Sequence, residues 1–329
     1  MRPTPALIEM AEQDPEALRH FTALDGKYIT VLGPRRLPPV VCPMSSTLTA
    51  LPISTSVGFS MLENAVYVDH VHKLNPDIII GLADMPYGES AGSRRKQKMS
   101  IRTEKWTKEI VDVNVSSTTD ITGGQRSSLF VPILPIEREA QSLYLDLLAT
   151  ELKDKVDGLA LYASDSATMI PDPLAHLPRI AMTGAARPQD VLRDIELGAD
   201  LCAIPFINAA TDAGIALDFV FPAQAKKNER VPMGIDMWTA DHATDLSPIT
   251  PDCECYTCQK HHRAYIQHLL SAKEMLAWVL LQIHNLRIMD DFFAGIRDSI
   301  GKGTFDEEVK RFEECYQAEL PIKTGQGPR

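Results

Sequence analysis

The sequence contains no apolar run long enough to cross a lipid bilayer. Its longest apolar stretches, such as Met275–Leu281, are far shorter than the roughly 20 residues that a membrane-spanning helix needs. The segment Met1–Phe21 also lacks the apolar core of a secretory signal peptide. These absences argue against a membrane span and against secretion, and they predict a cytoplasmic protein.

Positive charge is also in short supply. The chain has 33 Lys and Arg residues against 44 Asp and Glu residues, which gives a formal net charge of −11. The overall field therefore repels nucleic acid, so an RNA partner has to be held by local contacts. The chain has 329 residues, of which 44% are hydrophobic and 23% charged. That is the composition of a globular protein, and the length suits one large α/β domain with an appendage, or two domains.

Cysteine is scarce, and half of it is clustered. Three of the six cysteines fall within six residues as Cys253-x-Cys255-x-x-Cys258. In a chain without a secretory signal, such a cluster favours metal ligation over disulfides. Three thiolates and one imidazole would form the Cys3His set of a structural Zn²⁺ site, with one zinc ion per chain. The isolated cysteines are expected to be unreactive, and they are Cys42, Cys202 and Cys315.

The spacing leaves the fourth ligand open. His284 follows Cys258 by 26 residues and lies in an apolar helical stretch, where a buried polar side chain needs a partner. His261 and His262, three and four residues after Cys258, could also reach a metal. A core histidine that is satisfied by other groups is a further explanation of His284.

Short β-rich runs alternate with helical stretches over the first two thirds of the chain. This alternation predicts a parallel sheet, either open or closed into a barrel. From His261 onward the pattern is mainly helical. The predicted strands are Tyr28–Leu32, Pro52–Ser56, Asp77–Leu82, Leu129–Leu134, Gly158–Tyr162, Arg179–Met182, Leu201–Pro205 and Leu217–Phe221.

The segment Cys253–Leu270, with Glu274–Leu276 and Ile283–Asn285, closely resembles the zinc region of tRNA-guanine transglycosylases. A weaker resemblance covers residues 50–320 and includes Leu177–Ala181, which resembles the family's seventh barrel strand. The resemblance implies that His284 is the fourth metal ligand. It also implies an α/β fold of the TIM (β/α)8-barrel type, incomplete at the N-terminus, with a C-terminal helical zinc-binding subdomain.

Three segments follow from this interpretation. We expect an N-terminal helical segment over residues 1–27 and the barrel portion over 28–222. A linker and the zinc-binding helical subdomain would occupy residues 223–329.

The positions that carry chemistry in this family hold unreactive residues here. Family enzymes exchange a guanine base in tRNA by attack of an aspartate on the ribose C1′, which is covalent carboxylate catalysis. The resemblance places Ala203 at that aspartate and Thr55 at the family's second aspartate. It therefore implies that the chain has no catalytic residue. The family's base-reading aspartate corresponds to Ala83 or Asp84, depending on the alignment, and the arginines that grip the anticodon loop are replaced by Ala209 and Asp212.

A zinc region combined with strand ends that lack the catalytic aspartates resembles the accessory subunits of the family's eukaryotic heterodimers. The segment Pro205–Asp218 resembles their fungal members. The resemblance implies a catalytic queuine tRNA-ribosyltransferase subunit as partner, with tRNA bound through the complex. Its reaction would place queuine at wobble position 34 of tRNAs with GUN anticodons. His262–Leu270 and Met275–His284 would lie in the dimer-forming region, and a peripheral place on the mitochondrial surface stays open.

Two other functions stay open at this point. One is an active transglycosylase with a displaced nucleophile, for which Asp200 or Asp218 would have to serve. Asp200 precedes Ala203 by three residues on a strand, so their side chains point to opposite faces. The other is an unrelated zinc-stabilised interaction protein. The polar cluster Arg94–Lys98 could hold phosphates or form a solvated face. The cluster Asp241–Asp245 could be a metal or acid/base site, but solvated surface is the expectation for such a polar loop.

Overall fold

The computed structural model describes residues 6–85, 91–117, 126–224, 229–322 and 324. The chain forms two compact units, which are Met1–Gly184 with Leu197–Ala203, and Ala185–Glu196 with Ile204–Arg329. The three-part division expected from the sequence, with boundaries after residues 27 and 222, stays a prediction. Among the described residues, no helix combines the length and the apolar character that crossing a membrane requires.

The first unit is built around a parallel sheet. Its strands are β1 (Val31–Leu32), β2 (Ala50–Thr55), β3 (Gly58–Glu63), β4 (Ile78–Ile80), β5 (Ser128–Ile133), β6 (Gly158–Leu161), β7 (Arg179–Ala181) and β8 (Leu201–Cys202). Six of them form one parallel sheet in the order β1-β4-β5-β6-β7-β8. The predicted α/β class and parallel sheet are confirmed. In the described part of the chain β1 and β8 are edges, so the sheet is a half-barrel and a complete eight-stranded barrel is not confirmed.

Helices cover this sheet and bury its apolar residues. They are α1 (Ala6–Ala11), α2 (Ala17–Thr22), α3 (Asn64–Leu74), α4 (Ser93–Ser117) and α5 (Ser142–Thr150). The strand β5 is buried along nearly its whole length because both faces of a parallel sheet are covered, which explains its continuous apolar run. Trp106 of α4 is fully buried in the same core, and its indole N–H donates to the Leu48 carbonyl at 3.1 Å.

Two predicted barrel strands were wrong. The run Pro52–Ser56 belongs to β2, which pairs antiparallel with β3 in a separate hairpin. The run Leu217–Phe221 overlaps only the end of β9 (Ile215–Leu217), which pairs antiparallel with β10 (Gly234–Asp236). A short β-rich run specifies extended backbone but not its partner, because pairing is set by residues far away in sequence.

The second unit is mainly helical, as expected for the C-terminal part. Besides β9 and β10 it contains α6 (Pro188–Glu196), α7 (Phe206–Ala213), α8 (Tyr256–Lys260), α9 (Arg263–Ser271), α10 (Met275–Lys302) and α11 (Phe305–Cys315). The helix α10 is continuous over 28 residues. No glycine or proline interrupts Asn285–Ile288 near its middle, so nothing there ends the helix.

Candidate metal centre

The structure brings the four predicted metal ligands together. The ligand atoms of Cys253, Cys255, Cys258 and His284 all lie within 4.8 Å of one another. The Nδ1 atom of His284 lies 3.8, 3.6 and 3.4 Å from the sulfurs of Cys253, Cys255 and Cys258, respectively. This is the one such cluster of metal-ligating side chains within the described residues.

These distances fit a tetrahedral zinc ion. Zn–S bonds of about 2.3 Å and a Zn–N bond of about 2.0 Å, at tetrahedral angles, separate sulfur and nitrogen by about 3.5 Å. The three sulfur–nitrogen distances, 3.4 to 3.8 Å, bracket that value. Three thiolates and one imidazole are also the donor set of closed, structural zinc sites. The cluster can therefore hold a metal ion, and zinc is the metal that its chemistry fits.

The ring of His284 is held so that Nδ1 faces the sulfurs. His284 is fully buried on α10, and its Nε2 lies 2.9 Å from the carbonyl oxygen of Leu217. A carbonyl only accepts, so Nε2 carries a hydrogen, and in the neutral ring Nδ1 is the nitrogen whose lone pair faces the cluster. A ligand histidine bound in this way by a second group is typical of protein metal sites.

The local fold of the cysteine segment follows from the same cluster. Cys253 and Cys255 lie before α8, and Cys258 lies on its first turn. The sulfur of Cys255 accepts a hydrogen bond from the backbone N–H of Cys258 at 3.3 Å and caps α8. The buried hydroxyl of Thr257 donates to the Leu280 carbonyl at 2.7 Å, which ties α8 to α10 one turn before His284.

The electrostatics of the cluster favour a cation at Nδ1. Burial lowers the pKa of His284, but hydrogen bonds with the three cysteines outweigh burial and raise it to about 12. Burial also raises the pKa of Cys255, yet His284 and the Cys258 backbone N–H lower it to about 6 overall. Burial raises the pKa of Cys253. Without a metal, the sulfur cage would therefore retain a proton at Nδ1, where a metal ion would otherwise bind.

The two alternative histidines lie outside the cluster. The Nδ1 atom of His262 accepts the backbone N–H of Tyr265 at 3.1 Å and so caps α9. The ring of His261 stacks on that of Tyr265 with 5.0 Å between their centroids. Neither histidine belongs to the ligand cluster.

Ala203, which the sequence resemblance places at the nucleophile position, lies at the carboxyl edge of the parallel sheet. Ala203 directly follows β8, and its N–H continues the ladder by donating to the Ala181 carbonyl at 2.9 Å. Asp200 lies before β8, where its Oδ2 accepts the backbone N–H of Arg179 at 2.8 Å. Asp218 accepts from the hydroxyl of Thr250 at 3.0 Å in the second unit. Both candidate displaced nucleophiles thus serve as acceptors for the chain's own groups.

Thr55 lies at the turn of the β2–β3 hairpin. It pairs with Gly58, and its hydroxyl donates to the Gly58 carbonyl at 2.7 Å. Gly58 has a φ of 113°, a conformation that glycine adopts without strain. Thr55 therefore closes a turn.

An ion-pair cluster that the sequence pattern did not indicate surrounds Asp84, just past β4. The Asp84 carboxylate is fully buried and accepts two bonds from Arg95, both at 2.6 Å. It also accepts one from Arg102 at 2.8 Å and one from the Ser46 hydroxyl at 2.7 Å. A carboxylate offers about four acceptor sites, so none remains for a base. Ala83 offers only a methyl group.

Burial and ion pairing shift the pKa of Asp84 in opposite directions. Burial raises the pKa of this carboxyl, but the hydrogen bonds from Arg95, Arg102 and Ser46 outweigh it and leave the pKa below its usual range. Asp84 is therefore a buried anion whose charge is balanced within the fold.

The remaining polar clusters are engaged in local contacts. Arg95 and Lys96 of the Arg94–Lys98 segment pair with Asp84 and Glu137. Asp245 binds the backbone N–H and hydroxyl of Ser247, and it also pairs with Arg263. Ala209 and Asp212 lie on α7.

Comparison with known proteins places the chain in a family. A family model described as queuine tRNA-ribosyltransferase matches residues 1–318. The queuine tRNA-ribosyltransferase accessory subunit 2 of Schizosaccharomyces pombe is 36% identical over 303 residues, covering 91% of this chain and 67% of the relative. That of Drosophila sechellia is 29% identical over 322 residues, covering 91% and 76%, respectively.

A bacterial relative matches a shorter region. The queuine tRNA-ribosyltransferase of Oleidesulfovibrio alaskensis is 34% identical over 159 residues, which cover 48% of this chain and 37% of the relative. The chain thus spans a minor part of this relative and about two thirds to three quarters of the two accessory subunits. The family model covers nearly the whole sequence, and the S. pombe protein is 36% identical over 91% of it. The chain therefore belongs to the queuine tRNA-ribosyltransferase family.

Proposed function

We propose that this chain is the non-catalytic subunit of a heterodimeric queuine tRNA-ribosyltransferase. The complex would exchange guanine for queuine at wobble position 34 of tRNAs with GUN anticodons. The observation that carries the proposal is Ala203 after β8, at the nucleophile position implied by the sequence resemblance. Two relatives that align with 91% of the chain bear the name accessory subunit 2.

The lack of a free carboxylate at Ala203 and Asp84, at the carboxyl edge of the sheet, supports a role without catalysis. Active sites of barrels of this type lie at the carboxyl ends of the strands. Here Ala203 supplies a methyl group, and the acceptor sites of Asp84 are filled by Arg95, Arg102 and Ser46. The nucleophile's carboxylate is therefore missing, and neither Ala83 nor the saturated Asp84 offers a carboxylate that is free to read a base. We infer that this chain carries no catalytic residue.

The metal centre supplies structure in this account. Zinc bound by Cys253, Cys255, Cys258 and His284 would have no open coordination position, so it would serve as a cross-link and not as a Lewis acid. One zinc ion per chain would join the cysteine segment to α10. Because α10 spans 28 residues, the cross-link would fix a long helical surface.

The helix α10 exposes a stripe of four apolar residues, called the seam below, that suits a partner. Leu276, Val279, Ile283 and Leu286 are spaced three, four and three residues apart, and they are 36% to 51% exposed. This spacing is the pattern with which helices pack side by side in coiled coils. A contiguous exposed apolar stripe marks an interaction site more often than single exposed residues do.

We propose a catalytic subunit of the same family as the occupant of the seam. Twofold dimers of identical chains use the same surface patch on both chains, and two related subunits could pair through equivalent helices in the same way. Ile283 precedes the metal ligand His284, so the metal would hold the helix while its exposed side binds the partner. A second copy of this chain is the competing occupant.

RNA binding is proposed for the complex. The net charge of −11 gives this chain no overall attraction for tRNA. The catalytic partner would therefore supply the main tRNA contacts. The cytoplasm, with a peripheral place on the mitochondrial surface as a variant, stays the predicted location.

Exchange of radiolabelled guanine into a GUN-anticodon tRNA tests the function. The assay compares this chain alone, a catalytic homologue alone, and the two mixed. We expect no exchange by this chain alone and higher exchange by the mixture than by the homologue alone. Exchange by this chain alone would instead support the displaced-nucleophile alternative. The unrelated interaction-protein alternative is contradicted by the family membership.

A further inference from the structure

Leu217 links the metal ligand His284 to the helix residue that follows it. The Leu217 carbonyl accepts from Nε2 of His284 at 2.9 Å, and the Leu217 N–H donates to Oδ1 of Asn285 at 2.8 Å. Both polar groups of one backbone residue are therefore bound by two adjacent side chains of α10. Both of these side chains are fully buried.

Asn285 also binds two further groups of the same unit. Its Nδ2 donates to the Ile215 carbonyl at 3.0 Å and to the Thr211 hydroxyl at 2.9 Å. The Leu217 N–H requires an acceptor and the Ile215 carbonyl requires a donor, so only one orientation of the amide satisfies both. The Thr211 hydroxyl donates onward to the Ile207 carbonyl at 3.0 Å and so anchors the network in α7.

The strand that carries Leu217 needs such support. β9 has three residues and pairs only with the three residues of β10 in the described part of the chain. A two-stranded antiparallel pair is marginally stable by itself. The position of the Leu217 carbonyl, and with it the orientation of the His284 ring, therefore depends on contacts from outside the two strands.

We propose that Asn285 is a positioning residue of the metal centre. By holding the backbone N–H of Leu217, it keeps the carbonyl of the same residue in place to receive the Nε2 hydrogen of His284. This contact leaves Nδ1 as the metal-binding nitrogen and fixes its direction toward the three sulfurs. The inference rests on the proposed metal role, and it adds a residue that contacts neither the metal nor a partner.

Metal titration of the full chain tests the proposal. Loss of a second-layer contact typically weakens metal binding about 10- to 100-fold, and we expect this range for Asn285→Ala in Zn²⁺ competition with a chromophoric chelator. The matched control is Asn64→Ala. Asn64 is also buried, and its Nδ2 donates to the carboxylate of Glu109, but it lies in the first unit. We expect Asn64→Ala to bind Zn²⁺ like the unchanged chain.

Cobalt provides a readout that general destabilisation would not move. The visible spectrum of bound Co²⁺ reports the ligand set and its geometry. We expect Asn285→Ala to alter this spectrum at full Co²⁺ loading, whereas Asn64→Ala should leave it unchanged. An unaltered spectrum together with unaltered Zn²⁺ affinity would overturn the proposal.

A second pair of variants covers the case in which Asn285→Ala does not fold. Thr211→Val removes the hydroxyl with little change in volume, and Thr211→Ser retains it. We expect Thr211→Val to bind Zn²⁺ more weakly, by about tenfold, the lower end for second-layer contacts, and Thr211→Ser to restore the affinity. Equal Zn²⁺ affinity of both variants would contradict the proposal. Failure of the unchanged chain to bind Zn²⁺ would instead refute the metal role itself.

Discussion

The carboxyl edge of the parallel sheet and the metal centre differ in what their side chains can still do. At the sheet edge, Ala203 has no reactive group, and the Asp84 carboxylate is saturated by the chain's own donors. At the metal centre, three sulfurs and one imidazole nitrogen lie within 4.8 Å of one another. Ala203 and Asp84 therefore offer no free reactive group at the first region, whereas the second region holds a full set of metal-ligating side chains.

This difference separates structural from chemical requirements within one family fold. A closed metal site stabilises the fold whether or not the chain catalyses a reaction. A nucleophile, in contrast, is needed only in the subunit that performs the chemistry. A heterodimer can therefore retain the first in both subunits and the second in one.

Loss of the metal should have the largest effect. Zinc binding contributes about 10–16 kcal/mol in zinc-finger peptides, which is comparable to the whole stability of a typical domain. We expect about one Zn²⁺ per chain, the number that one four-ligand site holds, and loss of the folded C-terminal region on chelation or in Cys255→Ser. Elemental analysis and limited proteolysis measure both outcomes. Cys202→Ser, outside the cluster, is the control and should retain metal and fold; zinc-free purified protein would refute the claim.

Removing the charge of Asp84 should have the next largest effect. Breaking a fully buried ion pair costs about 3–5 kcal/mol, but the Arg95 side chain is 32% exposed. We therefore expect Asp84→Asn to lower the free energy of unfolding by about 2–3 kcal/mol at neutral pH, because solvent screens part of the pair. Asp69→Asn, which affects an exposed pair with Lys73, should change it by less than about 0.5 kcal/mol. Urea unfolding measures both.

The same variant predicts a pH dependence. The pKa of Asp84 is lowered in the fold, so its stabilising contribution is complete above the ordinary aspartate pKa of about 4. This contribution is lost as the pH falls from there toward the lowered value. The stability difference between the unchanged chain and Asp84→Asn should therefore shrink below about pH 4. A difference that stays constant down to the lowest accessible pH would contradict the buried ion pair.

A charge in the seam should affect partner binding more than folding. Val279 is 51% exposed on α10, and Val279→Asp would place a carboxylate in an apolar contact. We expect the affinity for a catalytic homologue to fall about 100-fold, the loss of one interface hot spot, while metal content is unchanged. Leu143→Asp, at a 77% exposed position of α5, is the matched control. Sedimentation velocity of the mixtures measures both, and equal affinities would show that the partner binds elsewhere.

Much of the fold was predictable because its signals are local. Continuous apolar runs such as Leu129–Leu134 gave the sheet strands, since both faces of a parallel strand are buried. The three cysteines lie close enough in sequence for their spacing to indicate a metal site. The hairpin β2–β3 was missed because its first strand has the same local pattern as a parallel strand.

The long-range contacts could not be predicted from spacing. Asp84 meets Ser46 across 38 positions, and the sequence pattern of neither residue indicates the other. His284 donates its Nε2 hydrogen to the Leu217 carbonyl, 67 positions away in sequence. Every residue has such a carbonyl, so the sequence does not indicate which one binds the histidine. Only the family resemblance distinguished His284 from His261 and His262. The structure adds the geometric reason, because His262 caps a helix and His261 stacks on Tyr265.

Trapping of the covalent RNA–protein intermediate tests the central claim most directly. The claim is that the carboxylate that attacks the ribose C1′ belongs to the partner and not to this chain. A denaturing gel of the mixed complex with a GUN-anticodon tRNA separates the two subunits and reports which one carries RNA. We predict an adduct on the catalytic homologue alone. We also predict none on this chain after Ala203→Asp, because Asp84 stays saturated and catalytic groups act as a unit. An adduct on the unchanged chain would contradict the account.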